Sequence, residues 1–244
     1  MTGLCRLDSA VVEHTDFVSA LRGAAPYVHA HNGRTVVIAF TGETCARPEF
    51  EQLICDIALL SSLGVRLVLV HGARPQIDAE LAMRGLTPHY VGDLRVTDEA
   101  TMGAVKAAVG ALRMDIEALL SNSLVDTPMG GARIKVVGGT WVTARPVGVR
   151  EGVDHELTGQ VRRIDIPAIH EVLAGERIAL LSPVGYSPTG EAFNLRNAEV
   201  AEAVAIGVSA EASTAAARRA TRVERRAVNR EGVVRCMFTL RPSP

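Results

Sequence analysis

The sequence predicts an α/β fold built on an open, largely parallel β-sheet with helices on both faces. Short β-branched runs alternate with longer helical patterns through the middle of the chain, which is typical of strand–helix–strand units. The runs are continuously apolar, as strands buried between two layers of helices are. The chain has 244 residues, 48% of them hydrophobic and 22% charged, which is enough for a sizeable core.

The first half of the chain supplies two predicted buried strands, Thr35 to Phe40 and Val65 to Val70. Between them, apolar residues recur at helical spacing from Phe50 to Leu63, and Gly64 ends this helix. Two more helices are predicted further on, at Arg74 to Arg84 and at Asp98 to Leu120, the second one opened by Asp98.

The second half begins with segments that alternate polar and apolar residues, as strands with one solvated face do. They are Arg133 to Val137, Trp141 to Ala144 and Val161 to Ile164, and we expect them to form hairpins laid over the sheet. The first pattern then returns, with a helix at Pro167 to Ala174, a strand at Ile178 to Ser182, a turn at Ser187 to Gly190 and a helix at Ala198 to Val208.

The segment from Phe17 to Ala30 is amphipathic and contains Pro26. Proline removes a helical hydrogen bond, so we expect a helix that is interrupted at this position. Because the segment precedes the first strand, we expect it to pack outside the sheet or against another subunit.

Charge is distributed unevenly along the chain, although the net charge is only −1. From Ser213 onward there are eight arginines and two glutamates, so this tail has a charge of 8 − 2 = +6 and the preceding residues a charge of −1 − 6 = −7. A mildly acidic body gives no reason to expect a specific nucleic-acid partner. The tail would attract polyanions through its charge alone.

The sequence also bears on location and on metals. It contains no apolar run of about eighteen residues, so we expect neither export nor a membrane span. The four cysteines lack paired spacing, which argues against disulfides and zinc and favours a reducing cytoplasm. The histidines lack a paired spacing with carboxylates, so we expect surface or capping roles for them and no bound metal.

Small residues follow both predicted strands of the first half. The first strand ends in Thr41-Gly42-Glu43-Thr44 and the second in His71-Gly72-Ala73-Arg74. Ligands of open α/β sheets bind at such carboxyl ends, where a helix N-terminus can approach an anion. The alternative is that these glycines only permit the turn between strand and helix.

Four stretches resemble the amino-acid-kinase domain of N-acetylglutamate synthases in register and order. They read VLVHGARPQID from Val68, LRVTD from Leu94, the segment from Gly152 to Asp165, and SPVGYSPTGEAFNLRNAEVA from Ser182. The APY segment at Ala25 to Tyr27 is also similar, and the resemblance runs from about Asp16 to Glu211. It implies an amino-acid-kinase fold of the carbamate-kinase-like type.

The resemblance also implies a set of ligand-binding residues. In the related acetylglutamate kinases, the loop that matches His71, Gly72, Ala73 and Arg74 embraces an acylated amino acid. Arg95 matches an arginine that grips its carboxylate, Asn194 matches a substrate-binding asparagine, and Tyr27 lies near the arginine site of the synthases. From the residues alone, Arg95 could equally pair with an acid such as Asp98, and Asn194 could be a turn residue.

Glu43 is the main departure from the kinases that the sequence resembles. Those kinases carry a lysine after the first strand, where this sequence has a glutamate. Phosphoryl transfer depends on positioning and positive charge, so a carboxylate at this position should be disabling. The two lysines of the chain, Lys106 and Lys135, do not follow a predicted strand where they could replace it. We therefore expect no catalytic residue for phosphoryl transfer in this chain.

The end of the chain departs from the family. We expect residues 1–212 to form the amino-acid-kinase-like domain and residues 213–244 to be a poorly ordered, arginine-rich tail without family resemblance. The fold would then be incomplete at its C-terminal side, and a shifted reading frame would explain the break better than a basic helix for nucleic acid or membrane. The missing part houses the nucleotide in the kinases, so we expect no bound cofactor.

Three functions are compatible with these observations. The first is the N-terminal, regulatory, amino-acid-binding part of an N-acetylglutamate synthase, whose acetyl-CoA-dependent chemistry belongs to a separate domain and begins arginine biosynthesis. The second is an acetylglutamate kinase with an unusual site. The third is a non-catalytic module that binds L-arginine or acetylated glutamate beside a separate acetyltransferase, and the intact family implies a homo-oligomer.

Overall fold

The computed structural model describes residues 14–122, 134–215 and 238–239. Elements are numbered in chain order. The central sheet consists of β1 (Thr35–Phe40), β2 (Arg66–His71), β5 (Val136–Gly138), β10 (Ile178–Leu181) and β13 (Phe238–Thr239). Their spatial order is β13–β1–β2–β10–β5, in which β1, β2, β10 and β5 are parallel and β13 is antiparallel to β1.

The helices within the described ranges flank this sheet. They are α1 (His14–His31), α2 (Gly42–Cys45), α3 (Phe50–Ser62), α4 (Arg74–Met83), α5 (Glu99–Asn122), α6 (Ile166–Ala174) and α7 (Asn197–Ala215). Polar side chains fix several of their starts: Thr41 accepts a hydrogen bond from the amide of Thr44, and Asp165 accepts one from Ala168.

Two apolar clusters show why the strands are apolar throughout. Leu67 and Leu69 of β2 pack with α3, α4 and α5 on one face of the sheet. Val68 and Val70 of the same strand pack with α6 and α7 on the other face. Successive side chains of a strand point to opposite faces, so a strand between two helical layers must be apolar at every position. The predicted open, largely parallel sheet with helices on both faces is confirmed.

A second sheet lies over the α7 side of the first. It contains β6 (Val142–Pro146), β9 (Gly159–Ile164), β11 (Val184–Tyr186) and β12 (Ala192–Asn194), in the order β12–β11–β6–β9. Two short hairpins complete the strands, β3 (Tyr90–Val91) with β4 (Leu94–Arg95), and β7 (Val149–Arg150) with β8 (Val153–Asp154). The hairpin predicted over the sheet corresponds to the antiparallel pair β6 and β9.

Two predictions of local structure are wrong. The segment expected to form a hairpin from Arg133 is instead β5, which pairs in parallel with β10 at the edge of the central sheet. Ile134 and Val136 pack against the cluster that contains α3, α4 and α5, whereas Lys135 is exposed, and this explains the alternating pattern. Helix α1 also continues across Pro26 without a break.

Helix α1 exposes much of its apolar surface. Phe17, Leu21 and Tyr27 are 58%, 57% and 71% exposed. This agrees with an expected position outside the sheet, since a buried face would cover these side chains. The proline lies inside the helix, which lacks one hydrogen bond there.

The predicted boundary at residue 212 falls inside α7, which ends at Ala215. Two tail residues are described, Phe238 and Thr239, and they pair with Val37 and Val36 of β1. The remainder of the arginine-rich tail, residues 216–237 and 240–244, lies outside the described residues.

Candidate functional site

A cleft of about 360 Å³ opens at the carboxyl ends of β1 and β2. The two strands are in register, with Phe40 opposite His71, so the loops that follow them leave the sheet side by side. The β3–β4 hairpin and the start of α7 form the other walls. The cleft therefore lies where ligands of open α/β sheets bind.

The floor of the cleft is formed by backbone in close contact. The amide of Gly72 donates to the carbonyl oxygen of Phe40 at 2.8 Å, and the side chain of Asn197 donates to the same oxygen at 3.3 Å. A Cβ atom added to Gly72 would lie 3.0 Å from the amide nitrogen of Gly42 and 3.1 Å from the Asn197 side chain. Glycine at residue 72 thus has a steric reason beyond turn formation.

Besides the four-residue α2, two longer helices begin at the cleft. α4 starts at Arg74 and α7 at Asn197, and both residues line the cavity. The first N–H groups of a helix have no intrahelical partner and carry the positive end of the helix dipole. The cleft is therefore suited to a negatively charged group.

Arg95 supplies a partly used guanidinium to the same cavity. The residue is 6% exposed, and its Nη2 donates to Oδ1 of Asp78 at 2.7 Å. Its Nη1 is also buried, and no acceptor for it is found among the described residues. Nη1 is therefore an unsatisfied donor on a residue that lines the cleft, while Nη2 of the same guanidinium is held by Asp78.

Of the two alternatives left open for Arg95, pairing with an acid is observed, and the acid is Asp78 instead of the example Asp98. Asp98 accepts a hydrogen bond from the amide of Thr101 at 2.7 Å and caps α5, and hydrogen bonds from the side chain and the amide of Thr101 lower its pKa. Asp78 reaches Arg95 because the β3–β4 hairpin folds back over α4, a contact that local sequence does not encode.

The ring of Tyr90 contacts two arginine side chains that line the cleft, Arg74 and Arg95. The guanidinium carbon atoms of Arg74 and Arg95 lie 4.5 Å and 4.6 Å from the centre of its ring. Its hydroxyl donates to Asp78 at 3.2 Å. Burial raises the pKa of Tyr90, and a hydrogen bond with Tyr90 raises the pKa of Arg74. The ring thus holds both arginines by cation–π contact while its neutral hydroxyl stabilises their acid.

Asn194 also lines the cleft, and it is half-buried. Its side-chain nitrogen donates to the hydroxyl of Thr97 at 3.1 Å. It belongs to β12 and not to the nearby turn, since it pairs with Val184 in an antiparallel ladder. Its amide oxygen and second N–H therefore remain to be matched by a ligand or solvent.

Glu43 lines the cleft in the first turn of α2, where its side chain is exposed. Among the residues that the structure describes, no lysine lines this cavity. Lys106 lies on α5 at the rim of a different cavity. Glu43, which follows β1, thus places a negative charge at the edge of the cleft.

His71 and Tyr27 do not line the cleft. His71 is fully buried, and its Nε2 lies 2.9 Å from the hydroxyl of Ser182. Desolvation lowers the pKa of His71 to about 4, so the ring is neutral and supports the strand ends from below. Tyr27 lies on the exposed α1. Gly72, Ala73, Arg74, Arg95, Asn194 and Glu43 are the predicted residues that the cleft brings together.

Three residues of the site were missed by the sequence reasoning. Asp78 and Tyr90 fix the arginines, and Asn197 closes the floor. The spacing of Arg74 and Asp78, four residues apart on one helix, was a usable signal for Asp78.

Within residues 14–122, 134–215 and 238–239, no three His, Cys, Asp or Glu side chains converge as a metal site would require. In the same ranges, no helix is long and apolar enough to cross a bilayer.

Residues 34–216 match the amino acid kinase family. An amino-acid acetyltransferase of Ectopseudomonas mendocina is 54% identical over 196 residues, which cover 80% of this chain and 45% of that protein. A homologue of the same description from Pseudomonas aeruginosa strain LESB58 is 55% identical over the same shares. The chain thus spans about half the length of the curated relatives it matches.

Solved structures give the same relationship. N-acetylglutamate synthase from Neisseria gonorrhoeae, complexed with coenzyme A and L-arginine, aligns with a TM-score of 0.72 and 38% identity over 79% of this chain and 45% of that one. Carbamate kinase from Giardia lamblia, bound to AMP-PNP, aligns with a TM-score of 0.51 and 14% identity over 72% of this chain and 68% of that one, which supports the fold alone. The chain therefore belongs to the amino acid kinase family and corresponds to the amino-acid-kinase-like part of N-acetylglutamate synthases.

Proposed function

We propose that this chain is a regulatory, amino-acid-binding unit of an N-acetylglutamate synthase that does not transfer phosphate. The observation that carries the proposal is the half-used guanidinium of Arg95 in a cleft that contains Glu43 and no lysine among the residues that the structure describes. Binding of a carboxylate needs donors and positive potential, both of which are present. Phosphoryl transfer needs a cation where the phosphate moves, and Glu43 has the opposite charge.

An acylated amino acid fits the cleft best. Its α-carboxylate would accept from Nη1 of Arg95 and from the N–H groups at the start of α4. Its amide would exchange hydrogen bonds with Asn194, whose side chain both donates and accepts. N-acetyl-L-glutamate has these groups, and a relative from Neisseria gonorrhoeae has been crystallised with N-acetyl-glutamate and coenzyme A.

Calorimetry with the full chain and N-acetyl-L-glutamate tests the proposal. We expect saturable binding that R95K weakens by about tenfold or more, since a lysine cannot hold Asp78 and the ligand carboxylate from the two ends of one planar fork. R84K is the matched control, because Arg84 lies on the surface and pairs with Glu80. Absence of binding by the wild-type chain would refute the proposal.

A kinase assay separates this proposal from the acetylglutamate kinase alternative. The full chain is incubated with N-acetyl-L-glutamate, ATP and Mg²⁺, and the release of ADP is measured. We expect no release above that of a sample without acetylglutamate. Release that depends on acetylglutamate and is lost in R95K would establish the kinase instead.

L-arginine is the second candidate ligand, since the solved relative was complexed with it. Its guanidinium would require acids, and Glu43 and Asp93 are available at the cleft. Tyr27 could contribute only outside the cleft, from the exposed α1. Titration with L-arginine in the presence and absence of saturating N-acetyl-L-glutamate distinguishes competition for one cleft from binding at two sites.

The proposal also concerns where the acetyl transfer takes place and in which assembly. Acetylation of glutamate by acetyl-CoA would be carried out by a separate domain or partner, in the cytoplasm and in a homo-oligomeric assembly. A glutamate acetylation assay on the full chain alone is expected to give no turnover. Measurable turnover would place the acetyl-transfer chemistry in this chain.

A further inference from the structure

We infer that Thr158 is a positioning residue that couples Arg95 to Asn194, two residues that line the cleft from neighbouring segments of the chain. The inference rests on the proposed function, because it concerns how these groups are held for a ligand. Thr158 is 4% exposed and borders the cleft with its hydroxyl turned toward Arg95 and Thr97.

Three distant segments of the chain meet at Thr158. Residues 95–97 follow the β3–β4 hairpin, residues 155–158 precede β9, and residues 192–194 form β12. The amide of Leu157 donates to the carbonyl oxygen of Thr97, and the amide of Asn194 donates to the carbonyl oxygen of Leu157, both at 2.9 Å. The segment containing Thr158 thus lies between the one that carries Arg95 and the one that carries Asn194.

Side chains repeat this connection as a chain of hydrogen bonds. The hydroxyl of Thr158 donates to the carbonyl oxygen of Arg95, and its oxygen lies 2.8 Å from the hydroxyl oxygen of Thr97. Thr97 in turn accepts from the side-chain amide of Asn194 at 3.1 Å. Side-chain hydrogen bonds therefore connect Asn194 to the backbone of Arg95 through Thr97 and Thr158.

Arg95, Thr97 and Thr158 are buried, so a hydrogen bond lost among them cannot be replaced and the side chains are held in one arrangement. Thr97 and His155 are fully buried, so water cannot replace a lost partner. The ring of His155 offers only a distant contact, with its Nδ1 at 3.5 Å from the Arg95 carbonyl oxygen. The Thr158 hydroxyl is thus the close side-chain donor to that carbonyl. Without this hydroxyl, side-chain hydrogen bonds no longer connect the backbone of Arg95 to the side-chain amide of Asn194.

Two variants of the full chain test the role of the hydroxyl. T158V removes it at nearly constant volume, and T158S keeps it. We expect T158V to weaken binding of N-acetyl-L-glutamate by about tenfold and T158S by less than about threefold. T143V is the matched control, since Thr143 is a half-buried threonine of β6. Binding to T158V that matches the wild type within about twofold would overturn the inference.

A double-mutant cycle separates positioning from general destabilisation. R95K, N194A and their combination are measured by calorimetry in the wild-type chain and again in T158V. Coupling through Thr158 predicts non-additive losses in the wild-type chain that become additive in T158V. Equal non-additivity in both backgrounds would overturn the inference, because a merely destabilised domain would lose affinity without losing the coupling.

A measurement without ligand keeps the two proposals distinguishable. If the wild-type chain binds no acylated amino acid, the proposed function fails, and the side-chain amide protons of Asn194 then decide the inference by NMR. We expect their hydrogen exchange to be faster in T158V than in the wild type, T158S and T143V. Unchanged exchange in T158V would refute the coupling whatever the ligand is.

Discussion

The imidazole of His71 and the hydroxyl of Ser182 are 2.9 Å apart, and this contact joins the carboxyl ends of β2 and β10 below the cleft. The ring is fully buried, and desolvation lowers the pKa of His71 from 6.5 to about 4. The unfolded chain therefore binds a proton at this residue at a higher pH than the folded chain does.

The pH dependence of stability follows from that difference. Because the unfolded state takes up more protons between about pH 6.5 and about pH 4, the free energy of unfolding falls as the pH is lowered through this range. We expect His71 to account for a loss of about 2 kcal/mol between about pH 7 and about pH 5. Urea denaturation at a series of pH values measures it. H71N should flatten the dependence, whereas H89Q, at an exposed position, should not.

Asp78 should be needed for ligand binding although it does not line the cleft. D78N removes the charge that holds Nη2 of Arg95 and leaves a buried cation without its acid. We expect a loss of about 1–3 kcal/mol in the free energy of unfolding and weaker binding of N-acetyl-L-glutamate. D93N is the control, because Asp93 is an exposed acid of the same cleft. Equal behaviour of the two variants would contradict the positioning of Arg95 by Asp78.

Removing the charge of Glu43 should improve binding of an anion. E43Q eliminates repulsion at an exposed position, so we expect an increase in affinity for N-acetyl-L-glutamate of about threefold that shrinks as salt is added. E51Q, on the exposed side of α3, should leave the affinity unchanged. Calorimetry at two salt concentrations measures both effects. A decrease in affinity in E43Q would mean that Glu43 contacts a donor group of the ligand.

Gly72 and Gly110 should respond in opposite ways to the same substitution. The Cβ of G72A would lie 3.0 Å from the amide nitrogen of Gly42, so the floor of the cleft must shift. We expect a loss of about 1–3 kcal/mol in stability together with weaker ligand binding. G110A enters open space within α5 and should raise stability by up to about 1 kcal/mol. Thermal denaturation of both variants provides the comparison.

Much of the fold was predictable because its layers impose periodic patterns. β1 is apolar from Val36 to Phe40 and β2 from Leu67 to Val70, since each contributes to two clusters, and α3 shows helical spacing because one face is buried. The sequence predicts a hairpin at β5 because only one face of this strand packs against a cluster, so its pattern alternates like that of a strand with a solvated face. The sequence pattern reports burial, and it does not report which neighbour causes the burial.

The candidate site was predictable only in part, for a related reason. Gly72, Arg74 and Glu43 follow strands, and the ends of parallel strands converge by topology. The pairing of Arg95 with Asp78 depends on how a hairpin folds over a helix, and no local spacing encodes that contact. His71 continues the apolar run of β2, and this was a signal that it would be buried below the cleft and not exposed in it.

Glu43 is solvent-exposed and tops a loop whose shape is set by backbone contacts between Gly42, Gly72 and Phe40. Its side chain is therefore not needed for the contacts that shape the floor of the cleft. Under the proposed function, the charge at this position would act on the ligand and leave the stability of the domain nearly unchanged. Ligand preference at this edge of the sheet would then be adjustable by one substitution.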